Sequence, residues 1–502
     1  MPGTIENRRD WKLVPRSPTE KLVLALMVVL LSRWISMAFL PFTDTTEARY
    51  ANIARGMAIS GDWITPWFEP GLPFWGKPPL SFWIQAVSYK VLGWDEFALR
   101  FPAWLAQLGM VWLGWRYASS LVSRQSALIT SLIFASSSLA YVLAGAVMTD
   151  PFLGLGTTAG LTGAALALRG EGLVWGWVCF LGLAVGLLAK GPLTFVLVGG
   201  PLFLWLLWTH RWSDLRRLPV VGGTIVMLLM TAPWYLLAEL KTPGFIDYFL
   251  VGEHIKRFLD PGWVGDIYGS AHDEVRGTIW LLTLYATLPW SPLALSGLFL
   301  LLRNDDWGFG AIRRGLSDDD NKLLLLAAFM PSLFFTFSGN ILASYVLPGL
   351  PFMALLMVRG MQSSGVTSRW LDLCLWPFAL FVPTLSLVAG AWIYLHPGSI
   401  KTEKGLIACY YRQPENGAAP LIYLDDAPFS ARYYSQEKVR EKSLDLILRE
   451  VKNSPGRSLY VAVQPDDLDR FKRQLSAPFV KIFENRRYVL MTQSDRAVVT
   501  CR

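Results

Sequence analysis

Long apolar runs separated by short polar loops dominate the chain up to about residue 395. They lie at 22–40, 97–115, 127–147, 152–168, 173–189, 192–208, 218–238, 278–302, 323–338, 342–358 and 374–395. About 20 helical residues cross the ~30 Å of hydrocarbon in a bilayer, so each run is a candidate span. The pattern predicts a polytopic α-helical membrane domain over 22–395, with about 11–13 transmembrane helices. The first loop, 41–96, is the most polar part of this region, and its stretch 80–93 is amphipathic. The first run carries Arg33 and no small-residue cleavage pattern, so it reads as an uncleaved first span.

From residue 396 the runs stop. Stretches 421–424, 459–463 and 480–492, the last broken at 484–487, read as strands; 443–452 and 466–475 have helical periodicity. A small α/β domain over 396–502 follows, in which no catalytic motif stands out. No internal repeat or low-complexity segment is seen.

Composition agrees with the pattern: 53% of residues are hydrophobic and only 17% are charged, more apolar than a soluble core needs. The net charge of +8 implies no nucleic acid partner, because much of it sits in short loops between runs. The segment 1–21 and the loops 116–124, 169–171, 210–217, 303–322 and 359–369 are basic. Placing the first segment in the cytoplasm puts all the others there too, as the positive-inside trend requires. The 396–502 domain is then extracytoplasmic, in a cell (inner) membrane protein. Cys179 and Cys374 lie in apolar runs and read as core; spacing alone does not decide whether Cys409 and Cys501 pair.

The same alternation sends 41–79, 148–151, 190–192, 239–277 and 338–340 to the outer face. Nearly all unusual polar residues near the bilayer gather there, which points to an outward-facing active site. Asp44 and Glu47 open a helical pattern that Gly61 can end; they read as a capping box or as catalytic carboxylates. Arg49 follows them. Lys77, among prolines, is either a held cation or a snorkelling interfacial lysine. Asp150 and Lys190 end apolar runs, where an ionisable group without a role is readily replaced. Asp150 also suits an N-cap. Arg257 can grip a phosphate bidentately or face solvent, and Tyr345 can donate to a phosphate or sugar or belong to an aromatic belt. Arg33 has no assignment. The chain's four histidines form no tight ligand cluster, so His254 and His272 predict no zinc site and the metal expectation is none.

The pieces DTTEARYANIARGMAISGDW, PFWGKPPLSFW, MTDP, LAKGP, EHIKRF and SYVLPGLP, in this order, resemble the GT-C membrane glycosyltransferases. The closest branch holds the lipid A aminoarabinose transferases and the protein O-mannosyltransferases. Together the pieces cover the membrane part; the tail matches loosely through LIYLDDAPFSARYYS. The resemblance implies a GT-C-like fold and an inverting transfer of sugar from a polyprenyl-phosphate carrier, such as undecaprenyl phosphate, at the outer (periplasmic) face. The acceptor would be lipid A, another envelope glycan or a protein. It further implies a first-loop carboxylate as the catalytic group, with Asp150 at the second outer acidic position. Lys190, Arg257 and Tyr345 match positions that contact the carrier phosphate, and Lys77 lies in the matched lysine-proline motif. This chain departs at the family's Asp-Glu pair, matched by Thr46-Glu47 with Asp44 two places earlier, so Asp44 and Glu47 both stay candidates. A glutamate often found before the lysine is Gly76, and a histidine two residues before His254 is Gly252. A divalent metal is therefore not expected to be required. Two alternatives remain: a polyprenyl-linked sugar transporter, against which the apparent lack of repeats and broken helices counts, and a non-catalytic sugar-lipid binding or assembly subunit.

Overall fold

The computed structural model describes residues 18–501 except 94, 261, 270–272, 304–307, 364–367, 415–416, 454–457, 475–478 and 494–498. Most of the basic segment 1–21, and His272, lie outside the described residues. The first apolar run forms α1 (Pro18–Phe39). The Met37 carbonyl near its end, with the Leu40 and Pro41 carbonyls just beyond it, accepts from the Arg100 guanidinium, which turns the chain into the first loop. That loop holds α2 (Thr46–Ser60), the strand pair β1 (Trp67–Glu69) and β2 (Leu72–Pro73), and α3 (Leu80–Leu92). Gly61 caps α2 in a left-handed conformation (φ 71°), as the sequence suggested.

The membrane region continues with α4 (Glu96–Leu121), α5 (Arg124–Ser136), α6 (Ser138–Leu143), α7 (Asp150–Leu168), α8 (Leu173–Lys190), α9 (Leu193–Thr209) and α10 (Val220–Lys241). A π-helix at Asp247–Lys256 and the turn α11 (Arg257–Leu259) lie in the long loop after α10. Then come α12 (Thr278–Ala286), α13 (Trp290–Arg303), α14 (Gly308–Ser317), α15 (Asp319–Phe335), a 3-10 turn at Ala343–Gly349, α16 (Leu350–Ser363) and α17 (Ser368–Leu395). Among the described residues six helices are long and apolar enough to cross a membrane, or seven if the pair α12–α13 counts as one. The chain is a multi-pass membrane protein.

Two runs that read as continuous spans are broken, which corrects the expectation of unbroken helices. The run 127–147 splits at Ser137, and α12 and α13 bend by 109°. Pro289 supplies no N–H there. The breaks meet: Ser138 N–H donates to Leu288 carbonyl (2.7 Å), Ser138 hydroxyl to Tyr285 carbonyl (2.5 Å), and Trp290 indole to Ser136 hydroxyl (3.1 Å). In an apolar medium, interrupted helices persist only where their backbone groups find partners in this way. Arg33 gains its assignment here. Buried in α1, it donates to Val142 carbonyl (2.7 Å) and Gly145 carbonyl (2.8 Å) at the frayed end of α6.

The C-terminal part is a mixed five-stranded sheet in the order β4-β3-β5-β7-β6. β3 (Leu421–Leu424) runs parallel to β4 (Arg440–Lys442) and β5 (Leu459–Val463), while β6 (Val480–Glu484) and β7 (Val489–Gln493) are antiparallel to each other. The helices are α18 (Lys404–Tyr411), α19 (Phe429–Tyr434), α20 (Leu444–Asn453) and α21 (Leu468–Gln474). β3 and β5 are buried along their whole length, hence their unbroken apolar sequence. Cys409 and Cys501 form a disulfide.

Candidate active site

The site is assembled by a glycine interface. In α7 and α8 the spacings Gly156-x3-Gly160 and Gly182-x3-Gly186 let two antiparallel backbones touch. A Cβ on Gly156 would stand 2.6 Å from Gly186 nitrogen, and one on Gly182 2.4 Å from Gly160 nitrogen. Because the connection between these helices is short, the first residue of α7 and the last of α8 come together. These are Asp150 and Lys190, joined Oδ1 to Nζ at 2.6 Å and both buried. The Lys190 ammonium also lies 4.4 Å from the Tyr345 ring centroid. Asp150 does not cap its helix; the cap position is Thr149.

The π-helix packs directly on the turn after Lys190. Gly191 has φ 82°, and a Cβ there would meet Phe249 at 2.6 Å. From this helix Glu253 pairs with Lys77 (2.9 Å) and Arg257 (2.9 Å), and Arg257 also reaches Asp266 (3.2 Å). Burial pushes the Glu253 carboxyl up, but Lys77 and Arg257 outweigh it and hold it below its ordinary value. Asp150, Lys190 and Tyr345 thus form one group and Lys77, Glu253 and Arg257 a second, and the two meet where His254 Nε2 lies 3.1 Å from the Lys190 carbonyl; the sequence did not single out Glu253.

The first-loop carboxylates are placed differently. Asp44 is not the N-cap of α2: that position is Thr45, with no side-chain cap bond, so the capping box does not form. Asp44 instead accepts from Ser430 N–H (2.8 Å) and hydroxyl (2.5 Å) and pairs with Arg487 (2.6 Å), all from the α/β domain. Glu47 takes a two-pronged bond from buried Arg100, each arm 2.8 Å, and accepts from Val147 N–H at 3.4 Å, three residues before Asp150. Arg49 donates to Tyr268 carbonyl (2.9 Å) and lies 5.5–5.9 Å from the ring centroids of Tyr50, Phe74 and Phe429. Arg100, Ser430 and Arg487 carried no sequence signal, since their partners lie far away in the chain.

The α/β domain grips this loop at further points. Glu96 accepts from Lys404 (2.5 Å) and Tyr434 (2.7 Å), Arg432 pairs with Glu69 (2.7 Å), and Asn52 bonds Glu437. Among the described residues no three His, Cys, Asp or Glu side chains converge as a metal site. At the two positions where the family carries Glu and His, a Cβ on Gly76 would meet Phe74 at 3.1 Å and one on Gly252 would meet Trp263 at 2.4 Å. Aromatic rings pack where those ligands would project, so these positions do not fit the family's metal.

The chain combines a helical membrane domain, whose helix ends gather paired cations, with a small α/β domain. Residues 22–249 match the dolichyl-phosphate-mannose-protein mannosyltransferase family. Two similar proteins are undecaprenyl phosphate-alpha-4-amino-4-deoxy-L-arabinose arabinosyl transferases. That of Erwinia tasmaniensis is 28% identical over 340 residues, 64% of this chain and 56% of that protein. That of Edwardsiella ictaluri is 29% identical over 325 residues, 63% and 55%. The chain therefore spans somewhat over half the length of these curated relatives. The fold is similar to that of ArnT from Cupriavidus metallidurans bound to undecaprenyl phosphate, with a TM-score of 0.75, 18% identity, and coverage of 95% of this chain and 98% of that one. The chain is similar to polyprenyl-phosphate sugar transferases, and among them to the aminoarabinose transferases.

Proposed function

We propose that this chain is an inverting glycosyltransferase that moves a sugar from a polyprenyl-phosphate carrier, with undecaprenyl phosphate the carrier its relatives name, to an acceptor at the outer face of the membrane. The observation that carries this reading is the constellation of Lys190, Arg257, Lys77 and Tyr345 around Asp150 and Glu253, in which the Lys190–Asp150 pair is buried and the rest half-buried. When the sugar leaves, negative charge develops on the carrier phosphate. Lys190 and Arg257, held in place beforehand, stabilise that charge without a divalent metal.

The acceptor chemistry follows from the carboxylates. Asp44, Glu47 and Asp150 are each paired to a cation, with Arg487, Arg100 and Lys190 respectively. A carboxylate already bonded to a cation is better placed to orient an acceptor than to take its proton. A phosphate group, as on lipid A, is already nucleophilic, and a paired carboxylate suffices to position it. We therefore favour an anionic acceptor such as lipid A over a protein hydroxyl, with Glu47, next to the Asp150 loop, as the orienting acid. Asp44 serves to anchor the loop. Arg49, whose cation lies among rings with no carboxylate bonded to it among the described contacts, is placed to meet an acceptor anion.

The same pairing favours a second reading, a non-catalytic binding subunit with no free acid. One experiment separates them: transfer of radiolabelled sugar by purified protein from a panel of polyprenyl-phosphate sugars into an envelope extract. Wild type is expected to transfer, Glu47→Gln to fall at least tenfold in kcat (about 1.4 kcal/mol), and Asp44→Asn to lose mainly stability. Donor binding with no transfer from any donor would establish the binding subunit instead.

A further inference from the structure

His254 is a half-buried titratable group that the proposed chemistry does not use. Its ring touches two backbone oxygens: Nδ1 lies 2.7 Å from Phe249 carbonyl and Nε2 3.1 Å from Lys190 carbonyl. Phe249 carbonyl is also where the i→i+5 pattern of the π-helix directs a backbone N–H. Lys190 carbonyl is different. It belongs to the last residue of α8, whose terminal carbonyls have no partner within the helix. The Phe249 ring stands edge-on to the imidazole, 4.6 Å between centroids, and His254 Cε1 would lie 3.3 Å from a Cβ on Gly191. The imidazole is thus wedged between the helix that carries Glu253 and Arg257 and the helix end that carries Lys190.

We infer that His254 is a positioning residue: through the Lys190 carbonyl it ties the Arg257 helix to the end of α8, and so sets the distance between the Lys190 and Arg257 cations. Two carbonyls require two donors, which only the imidazolium supplies; the neutral ring supplies one. Burial pushes the His254 pKa down and nearby Lys77 adds to this, while the Phe249 and Lys190 carbonyls and Glu253 oppose it. The tie is made whenever Nε2 carries a proton: in the imidazolium, which serves both carbonyls, and in the neutral tautomer that leaves the Phe249 carbonyl to the π-helix backbone. The ligand consequence, that this distance matches one phosphate group, rests on the carrier-phosphate reading above.

The test uses full-length protein in nanodiscs and three variants. Glutamine reproduces the reach of Nε2 and asparagine that of Nδ1, while alanine keeps neither. Amide hydrogen exchange over residues 249–257 is expected to speed up in His254→Ala and His254→Asn and to stay near wild type in His254→Gln. Affinity for undecaprenyl phosphate is expected to follow the same order, about three- to tenfold weaker in Ala and Asn, the size of one buried hydrogen bond. Unchanged exchange in His254→Ala, or equal behaviour of Asn and Gln, overturns the tie. Exchange that follows the predicted order while wild type fails to bind undecaprenyl phosphate upholds the tie and removes the carrier reading. Lipid binding by wild type that His254→Ala does not weaken overturns the role of the tie in ligand binding.

Discussion

At the scale of single residues, the site is a chain of paired charges, buried on both sides at Lys190 and Asp150. Such pairs are costly to break, because removing one partner strands the other in a low-dielectric interior, at about 3–5 kcal/mol. Lys190→Met should therefore lower the melting temperature in detergent as well as abolish transfer, since Asp150 is left alone. Lys190→Met combined with Asp150→Leu should recover the melting temperature and not the transfer. A double variant as unstable as the single one would show that the pair is not what holds this end of α7. Much of this was legible in the sequence as residue types at the ends of apolar runs. What was not legible was pairing: Glu47 finds Arg100 and Asp44 finds Arg487 only in three dimensions.

At the scale of elements, the spacing of glycines in α7 and α8 decides where the charges meet. Any side chain on Gly182 meets the backbone of α7, which cannot move aside as a flexible side chain can. Gly182→Ala should destabilise by about 1–3 kcal/mol and weaken donor binding, because the helices part and Asp150 and Lys190 separate. Ala at the exposed Gly199, with nothing within 4 Å of its added Cβ, is the matched control and should change neither. Equal effects of the two substitutions would remove the interface from the account. The broken helices belong to the same scale. A run of apolar residues announces a span, but the bend at Pro289 becomes tolerable only because Ser138 and Ser136 lie opposite it.

At the scale of the whole molecule, the α/β domain is a clamp on the first loop. Arg487 sits between Asp44 (2.6 Å) and Glu403 (3.7 Å), and Glu403 also accepts from Asn485 (2.9 Å). Burial raises the Glu403 carboxyl to about 7; Asn485 and Arg487 pull it down only in part, and Asp44 adds to the rise. A carboxyl raised on folding binds its proton more tightly in the folded state, so its contribution is greatest at acid pH and fades as pH climbs from about 4.5 to about 7. Glu403→Gln should then melt several degrees above wild type at pH 8, with the gap closing towards pH 5. A gap independent of pH would place the proton elsewhere. Separately, Arg487→Ala should loosen the loop, seen as faster proteolysis between residues 41 and 79, with transfer reduced through KM more than kcat.

The sequence by itself determined the membrane class, the position of most of the long apolar helices, the strands 421–424 and 459–463, and the motifs that resemble GT-C enzymes. These depend on local hydrophobicity and periodicity, which a linear reading contains. Tertiary structure alone decided that Asp44 anchors a second domain while Glu47 stays by Asp150, that Cys409 pairs with Cys501, and that two helices break where they touch. The physical reason is common to all of these. A buried charge, thiol or interrupted backbone is defined by its partner, and the partners lie tens to hundreds of residues away, where spacing along the chain carries no trace of them.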